Sequence, residues 1–434
     1  MPRNHEDRSG RGDDVELEIT NVAHGGVFVA RFDGRVVFVP DTMPGERIRA
    51  RITDTTHDRF WRAETVSVIE AAPERQPHVW AAASVERPPS RRAGGAEFGH
   101  IRLDHQRELK RRVIVDALER MAKIERDVTV EAAGAAIAGI EPETPDGSGW
   151  RTRVRLQVAQ DGSFGPFAAR SHHVVEVEDL PLATERVADS APFGQRFAGS
   201  ESIDVVATAG GTAHVLVNDA PVKRGRRIVR QRHRPMPVRE VVGDREFQLD
   251  ARGFWQVHRL AAATLTEAVQ SAVDEALFDP RAANLDLYGG VGLLAAALGD
   301  RFGSTVRITS VEGDEAATDH AAENLAEWIG ASAVTERVER FVTTLAADAS
   351  PAERSRLRAA TVILDPPRSG AGRAVVDAIA DLSPAQVVYV ACDPVALARD
   401  LATFAGHGYQ LGSLRAFDLF PNTHHVEAVA MLAR

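Results

Sequence analysis

"NLDLYGGVGLLAAAL", residues 284–298, decides the fold of this chain. Its apolar opening reads as a short buried strand ending at Asp286. Gly290 and Gly292 then form a tight turn, and the alanine- and leucine-rich remainder reads as a helix. The same grammar continues to the C-terminus. "VRITSVEGD" (306–314), "ATVILDPP" (360–367), "AQVVYVACDP" (385–394) and "HVEAVAML" (425–432) are apolar strands, and helical segments such as "DHAAENLAEWI" (319–329) lie between several of them. Continuous apolar strands alternating with helices predict a mostly parallel sheet covered on both faces. We expect a doubly wound, Rossmann-like α/β domain over residues 251–434.

Upstream the grammar differs. Residues 15–72 hold short alternating runs, "VELEITNV", "GVFVARFDGRVVFVP" and "ERIRARITDTTHDRFWRAETVSVIE", with Asp33-Gly34 as a hairpin signal. Several short strands in such a span predict a small OB-like barrel, a fold that often binds oligonucleotides. Residues 1–14 are charged and are expected to be disordered. Residues 73–250 read as a central α+β section: a connector rich in Pro, Arg and Gly (72–100), a helix over 105–124, and strand-like runs at 151–160 and 172–180. No internal repeat or low-complexity tract is present.

Composition narrows the class. The chain has 434 residues and one cysteine, Cys392, which excludes a disulfide framework and any site needing several thiolates. The N-terminus lacks the apolar stretch of a secretory signal, and no run approaches a membrane span. A cytoplasmic protein without membrane association is expected. The net charge of −10 counts against a nucleic-acid partner, but basic residues cluster at 223–234, "KRGRRIVRQRHR", and more briefly at 110–112.

Site chemistry gathers at strand ends, where ligands of doubly wound sheets bind. Glu312 ends the strand after the glycine turn, about 20 residues past Gly292, where a carboxylate can take ribose hydroxyls. The dinucleotide fingerprint is incomplete, with Ala295 at its third position. That shortfall, with acidic Asp286 before the glycines, suits S-adenosylmethionine better than a dinucleotide, since a cofactor without phosphates gains less from a bare helix N-terminus. Asp365 and Cys392 end further strands on the same rim. Asp393 can cap the next helix and Pro394 suits its first position, so the thiol lies beside a helix N-terminus that favours its thiolate. A core thiol remains the plain alternative, as a surface carboxylate does for Glu427.

"DLYGGVG", "DPPRSG", "YVACDP" and "FPNTHHVE", in that order and with "GFWQVH" (253–258) upstream, resemble the uracil-5 RNA methyltransferases of tRNA and large-subunit ribosomal RNA. "HGGVFVARFDGRVVFVPDTMPGERIRARI" resembles their TRAM domain. The resemblance implies S-adenosylmethionine as cofactor and RNA as partner, with Cys392 as nucleophile, Glu427 as general base, and Gln256, Tyr288, Glu312 and Asp365 binding the cofactor. Several such enzymes hold an iron-sulfur cluster through four cysteines. Here Arg87, Ala93, Ala96 and Leu180 stand in those places, so no iron-sulfur cluster and no other metal is expected. Leu293 and His258 also depart from the family pattern, at positions expected to affect cofactor affinity. Arg368 after "DPP" disfavours an amino-group methyltransferase, which would carry an aromatic there. The alternative to an enzyme is a decayed RNA-binding or assembly factor, which retention of both Cys392 and Glu427 opposes. A monomer is expected.

Overall fold

The computed structural model describes residues 10–169, 171–224, 227–229 and 233–434. Residues 1–9 of the expected disordered N-terminus, and 225, 226 and 230–232 of the basic segment 223–234, lie outside the described residues.

Five strands, β1 (Asp14–Ala23), β2 (Val27–Phe32), β3 (Arg35–Val39), β4 (Arg47–Asp54) and β5 (Phe60–Glu70), close into a barrel in the order β1-β2-β3-β5-β4. Alternation drives closure: on β4, Ile48, Ala50 and Ile52 are buried while Arg47, Arg49 and Arg51 face solvent. Asp33 and Gly34, at φ 48° and 79°, make the two-residue hairpin turn. The barrel starts earlier than residue 15, because the Gly12 N–H donates to Ile52 O at 2.8 Å. Residues 10–14 are therefore part of it, a correction to the expected disordered stretch.

Next come α1 (Leu103–Ala117), extended by a wider turn to Ala122 and stopped at Lys123 with φ 59°, then β6 (Val130–Ala132), β7 (Arg153–Val158), β8 (Phe164–Gly165), α2 (Glu185–Ser190), β9 (Ser200–Ala207) and β10 (Ala213–Asp219). A four-stranded sheet runs β10-β9-β7-β8. The run 172–180 forms no strand and only one bridge, Val174 to Phe167. Val175 and Val177 instead enter a core with Trp80 and Phe164. Two hairpins follow, β11 (Val222–Arg224) with β12 (Arg227–Val229) and β13 (Pro237–Val242) with β14 (Arg245–Asp250).

The remaining elements are α3 (Ala261–Ala272), β15 (Asn284–Leu287), α4 (Leu293–Phe302), β16 (Ile308–Glu312), α5 (Glu315–Asn324), β17 (Ala331–Thr335), α6 (Val338–Asp348), α7 (Pro351–Arg358), β18 (Thr361–Leu364), α8 (Arg373–Leu382), β19 (Gln386–Ala391), α9 (Pro394–Gly406), β20 (Gln410–Asp418) and β21 (Glu427–Ala433). The sheet order is β17-β16-β15-β18-β19-β21-β20-β6. The first five strands are parallel, and β21 runs antiparallel to both its neighbours. The central strands β15, β18 and β19 are buried on both faces. Leu285, Leu364 and Tyr389 pack with α1, α6, α8 and α9, whereas Ile308, Ile363 and Val388 pack with α3 and α4. Such burial contributes about 1.5–3 kcal/mol for each large apolar side chain.

This sheet also claims parts of the section expected over 73–250. Ile114 and Ala117 of α1 join its core, β6 pairs with β20 at its edge, and Phe247 and Leu249 of β14 pack on the opposite face. The chain reverses its winding between β15 and β18. Their carboxyl ends form the switch point where ligands of such sheets bind.

At three of the positions where the resemblance would put cluster cysteines, Ala93, Ala96 and Leu180 share one apolar core with Trp80 and Trp150. Buried Arg92 gathers the adjoining loop, donating to the carbonyls of Arg87, Val85 and Thr65 and to Asp41 Oδ2, all within 2.7–2.9 Å. Among the described residues, no group of His, Cys, Asp and Glu is arranged to hold a metal. No helix among them is long and apolar enough to cross a membrane.

Candidate active site

Register builds the site. In the antiparallel pair β19–β21, Ala391 faces Ala428, so one step further sets Cys392 opposite Glu427. In the parallel strands, Leu287 pairs with both Val311 and Leu364, so one step further aligns Tyr288 with Glu312 and Asp365. Side chains scattered over the last 150 or so residues thus meet on one rim. All six sequence-predicted residues, Gln256, Tyr288, Glu312, Asp365, Cys392 and Glu427, line one cavity of about 950 Å³.

The glycine turn forms its cradle. A Cβ on Gly289 would fall 2.0 Å from Ser310 Oγ and 2.7 Å from Asp286 Oδ2, so only glycine fits, whereas Gly290 opens onto free space. Tyr288 just before holds φ 64°, an uncommon conformation for an aromatic residue. Glu312 Oε2 accepts the Gly290 N–H at 3.2 Å, and Oε1 accepts those of Gly313 and Asp314 at 2.6 and 3.0 Å. Buried Asp286 accepts from Ser310 Oγ at 3.2 Å through Oδ2, while its Oδ1 has no partner. A cradle open at Gly290, a carboxylate beside it and an unsatisfied buried carboxyl oxygen fit a cofactor bearing ribose hydroxyls and an amino group. S-Adenosylmethionine has both, and supplies an electrophilic methyl group when bound.

Three carboxyls around this floor repel one another in a poorly solvated space. Burial raises Asp286 to about 7, with Glu312 adding to the effect. Half-buried Asp365 also reaches about 7, from desolvation and then from Asp286. Glu427, 4 % exposed, lies well above the usual carboxylate range because of burial and Asp365, with Arg368 acting the other way. It is therefore no surface carboxylate. The thiol expectation reverses: burial first, then Glu427 and Asp365, pushes Cys392 up to about 12. The helix beyond is capped by Asp393, whose Oδ1 accepts the Val395 and Ala396 N–H groups at 3.0 and 2.8 Å, with Pro394 at the first position as expected.

His258 does not face the cavity. It is buried, stacks on Trp150 at 5.5 Å, and accepts the Leu260 N–H at 3.0 Å through Nδ1, so its departure from the family pattern is a packing matter. Leu293 does line the cavity. Sequence reading missed three wall residues: Phe254, 72 % exposed, Arg368, and His425, whose pKa burial and His424 push down to about 3. Phe254 and Arg368 stand inside motifs already singled out, so the available signal was an aromatic two residues before Gln256 and a cation three after Asp365. The "KRR" cluster is not free. Lys110 is buried against Asp418 at 2.5 Å, and Arg111 and Arg112 both pair with Glu108.

A switch-point cavity with this cradle and donor set defines an S-adenosylmethionine-dependent methyltransferase. The TRAM domain model matches residues 8–66, and the tRNA (uracil-5-)-methyltransferase model matches residues 263–434. The chain is 36 % identical to an uncharacterized RNA methyltransferase of Streptomyces avermitilis, over 97 % of this chain and 98 % of that protein. It is 34 % identical to another from Streptomyces coelicolor, over 97 % and 93 %. A solved structure of Pyrococcus abyssi tRNA (uracil-54, C5)-methyltransferase in complex with S-adenosyl-L-homocysteine shares the fold, with TM-score 0.65 and 20 % identity over 96 % of this chain and 99 % of that one. The chain belongs to the RNA (uracil-5-)-methyltransferase family and is an S-adenosylmethionine-dependent enzyme acting on RNA.

Proposed function

We propose that this enzyme methylates carbon 5 of one uridine in a structured tRNA or ribosomal RNA, with Cys392 as nucleophile and Glu427 as base. The observation that supports the reading is that β19 and β21 end their pairing at Ala391 and Ala428, the neighbours of Cys392 and Glu427, and that both side chains line one cavity. Carbon 5 of uracil is a weak nucleophile until something adds to carbon 6. Cys392 loses its thiol proton to water, its sulfur bonds to carbon 6, and the electrons of the carbon 5–carbon 6 double bond move onto carbon 5 and the 4-oxygen. Once carbon 5 carries the methyl group, Glu427 removes its remaining proton, the carbon–sulfur bond breaks and the thiolate leaves. Splitting the reaction this way replaces one difficult step by easier ones, and a carboxylate whose pKa is raised by burial is a stronger base once ionised. The target base must leave its stack to enter, and exposed Phe254 offers a ring for it at the cavity wall. Gln256, Tyr288, Glu312 and Asp365 hold the cofactor.

The test is nucleoside mass spectrometry with position mapping, on tRNA and ribosomal RNA from cells with and without the gene. Loss of 5-methyluridine at one position is expected. Unchanged methylation at every uridine would refute the proposal.

A further inference from the structure

The turn between β1 and β2, His24-Gly25-Gly26, lies against the rim that carries the thiol. His24 Nε2 stands 2.8 Å from Asp393 Oδ2, while Oδ1 of that carboxylate caps α9. One carboxylate thus holds the helix with one oxygen and the barrel with the other. Its neighbour in the chain is Cys392. Gly26 presses on the loop before β21: its φ is 70°, and a Cβ there would come 2.8 Å from His424 Nδ1. These contacts enclose a second cavity of about 170 Å³, whose walls include Gly26, Lys110, Arg368, Cys392 and His425. Cys392, Arg368 and His425 also line the large cavity. The barrel turn and the thiol therefore line one cavity, in which no residue of the glycine cradle takes part.

We propose that His24 is a positioning residue for methyl transfer, pinning the barrel to the helix cap beside Cys392. RNA gripped by the barrel and the attacking sulfur then share one rigid frame. Leu109 of α1 and Phe98 already pack into the barrel core, and Arg92 ties the barrel to the central section; the His24–Asp393 contact adds the tie that lies next to the sulfur. A near-attack geometry tolerates little freedom there. The contact joins a side chain on the barrel to the residue next to the nucleophile, so its effect falls on the chemical step more than on cofactor binding.

The catalytic arm of the test rests on the proposed reaction; the chemical arm does not. His24→Ala and His24→Gln are made in the full chain. Single-turnover methyl transfer is measured at saturating RNA and cofactor, along with S-adenosylhomocysteine affinity and the rate at which iodoacetamide alkylates Cys392 at fixed pH. With one cysteine in the chain the last readout is unambiguous. For His24→Ala we expect transfer to slow about tenfold and alkylation to quicken about fivefold, the effect of losing one charge-assisted hydrogen bond. S-Adenosylhomocysteine affinity should be unchanged, and His24→Gln, which keeps an N–H donor, should recover most of both rates. Unchanged alkylation or unchanged transfer in His24→Ala would overturn the inference. Wild-type protein that methylates no uridine refutes the proposed function instead, and the alkylation arm still decides whether the turn holds the thiol.

Discussion

Cys392 is expected to be a poor nucleophile until RNA arrives. Burial, then Glu427 and Asp365, moves its pKa from 9.0 to about 12. Near pH 8 an ordinary thiol is about one-tenth ionised and this one about one part in ten thousand, a thousandfold deficit in thiolate. A more basic thiolate attacks faster, and a Brønsted slope of about 0.4–0.5 returns about twenty- to thirtyfold of that loss. Alkylation of the free protein should therefore run about fiftyfold slower than that of an unhindered thiol. The assay is iodoacetamide labelling from about pH 7 to pH 10, followed by intact-mass spectrometry. Hindered access would also slow the reaction, so the shape of the profile discriminates. The logarithm of the rate should climb with unit slope through about pH 10 and show no plateau. A plateau near pH 9, or a rate above that of a free thiol, would refute the electrostatics and mean that the resting protein already activates its sulfur.

Cys392→Ala should abolish turnover while leaving RNA and S-adenosylmethionine affinity nearly intact in equilibrium binding; retained methylation would remove the sulfur from the mechanism. Glu427→Gln should trap the methylated base on sulfur, giving a protein–RNA adduct on a denaturing gel with the true substrate, and absence of that adduct would count against the base assignment. Asp286 is a carboxyl whose folded pKa, about 7, exceeds its unfolded 3.8, so stability present below the lower value is lost as pH rises toward the upper one. Asp286→Asn removes that loss, and its melting temperature relative to wild type should improve between about pH 4 and pH 8; a constant difference would contradict the assignment. Arg92→Met strands Asp41 and three carbonyls and should cost about 3 kcal/mol in urea unfolding, with a loss below about 1 kcal/mol showing that the loop holds without it.

The doubly wound sheet was legible because its central strands are buried on both faces and so read as unbroken apolar runs. The barrel was legible for the opposite reason, its alternation and the Asp33-Gly34 turn. Boundaries were less so. Nothing local in "RRVIVDALERM" tells that Ile114 and Ala117 serve a sheet whose other strands begin about 170 residues later. The valines of 172–180 were read as a strand because alternation reports burial, which a bridge-and-turn path through a core also satisfies. Among the site residues, Cys392 and Glu427 were found by motif. Their environment was not, since a thiol's pKa depends on the carboxyls that the fold gathers around it. The helix N-terminus suggested activation, and burial outweighed it.

The apolar filling at Ala93, Ala96 and Leu180, with Arg92 strapping the adjoining loop, bears on how this enzyme is made and kept in cells. Its scaffold draws on no sulfur or iron delivery during synthesis, and oxygen finds no cluster to dismantle afterwards. The sulfur of Cys392 is held mostly as the unreactive thiol between turnovers. With one cysteine, the chain cannot assemble a Cys-ligated cluster, and this core is filled by apolar side chains in its place.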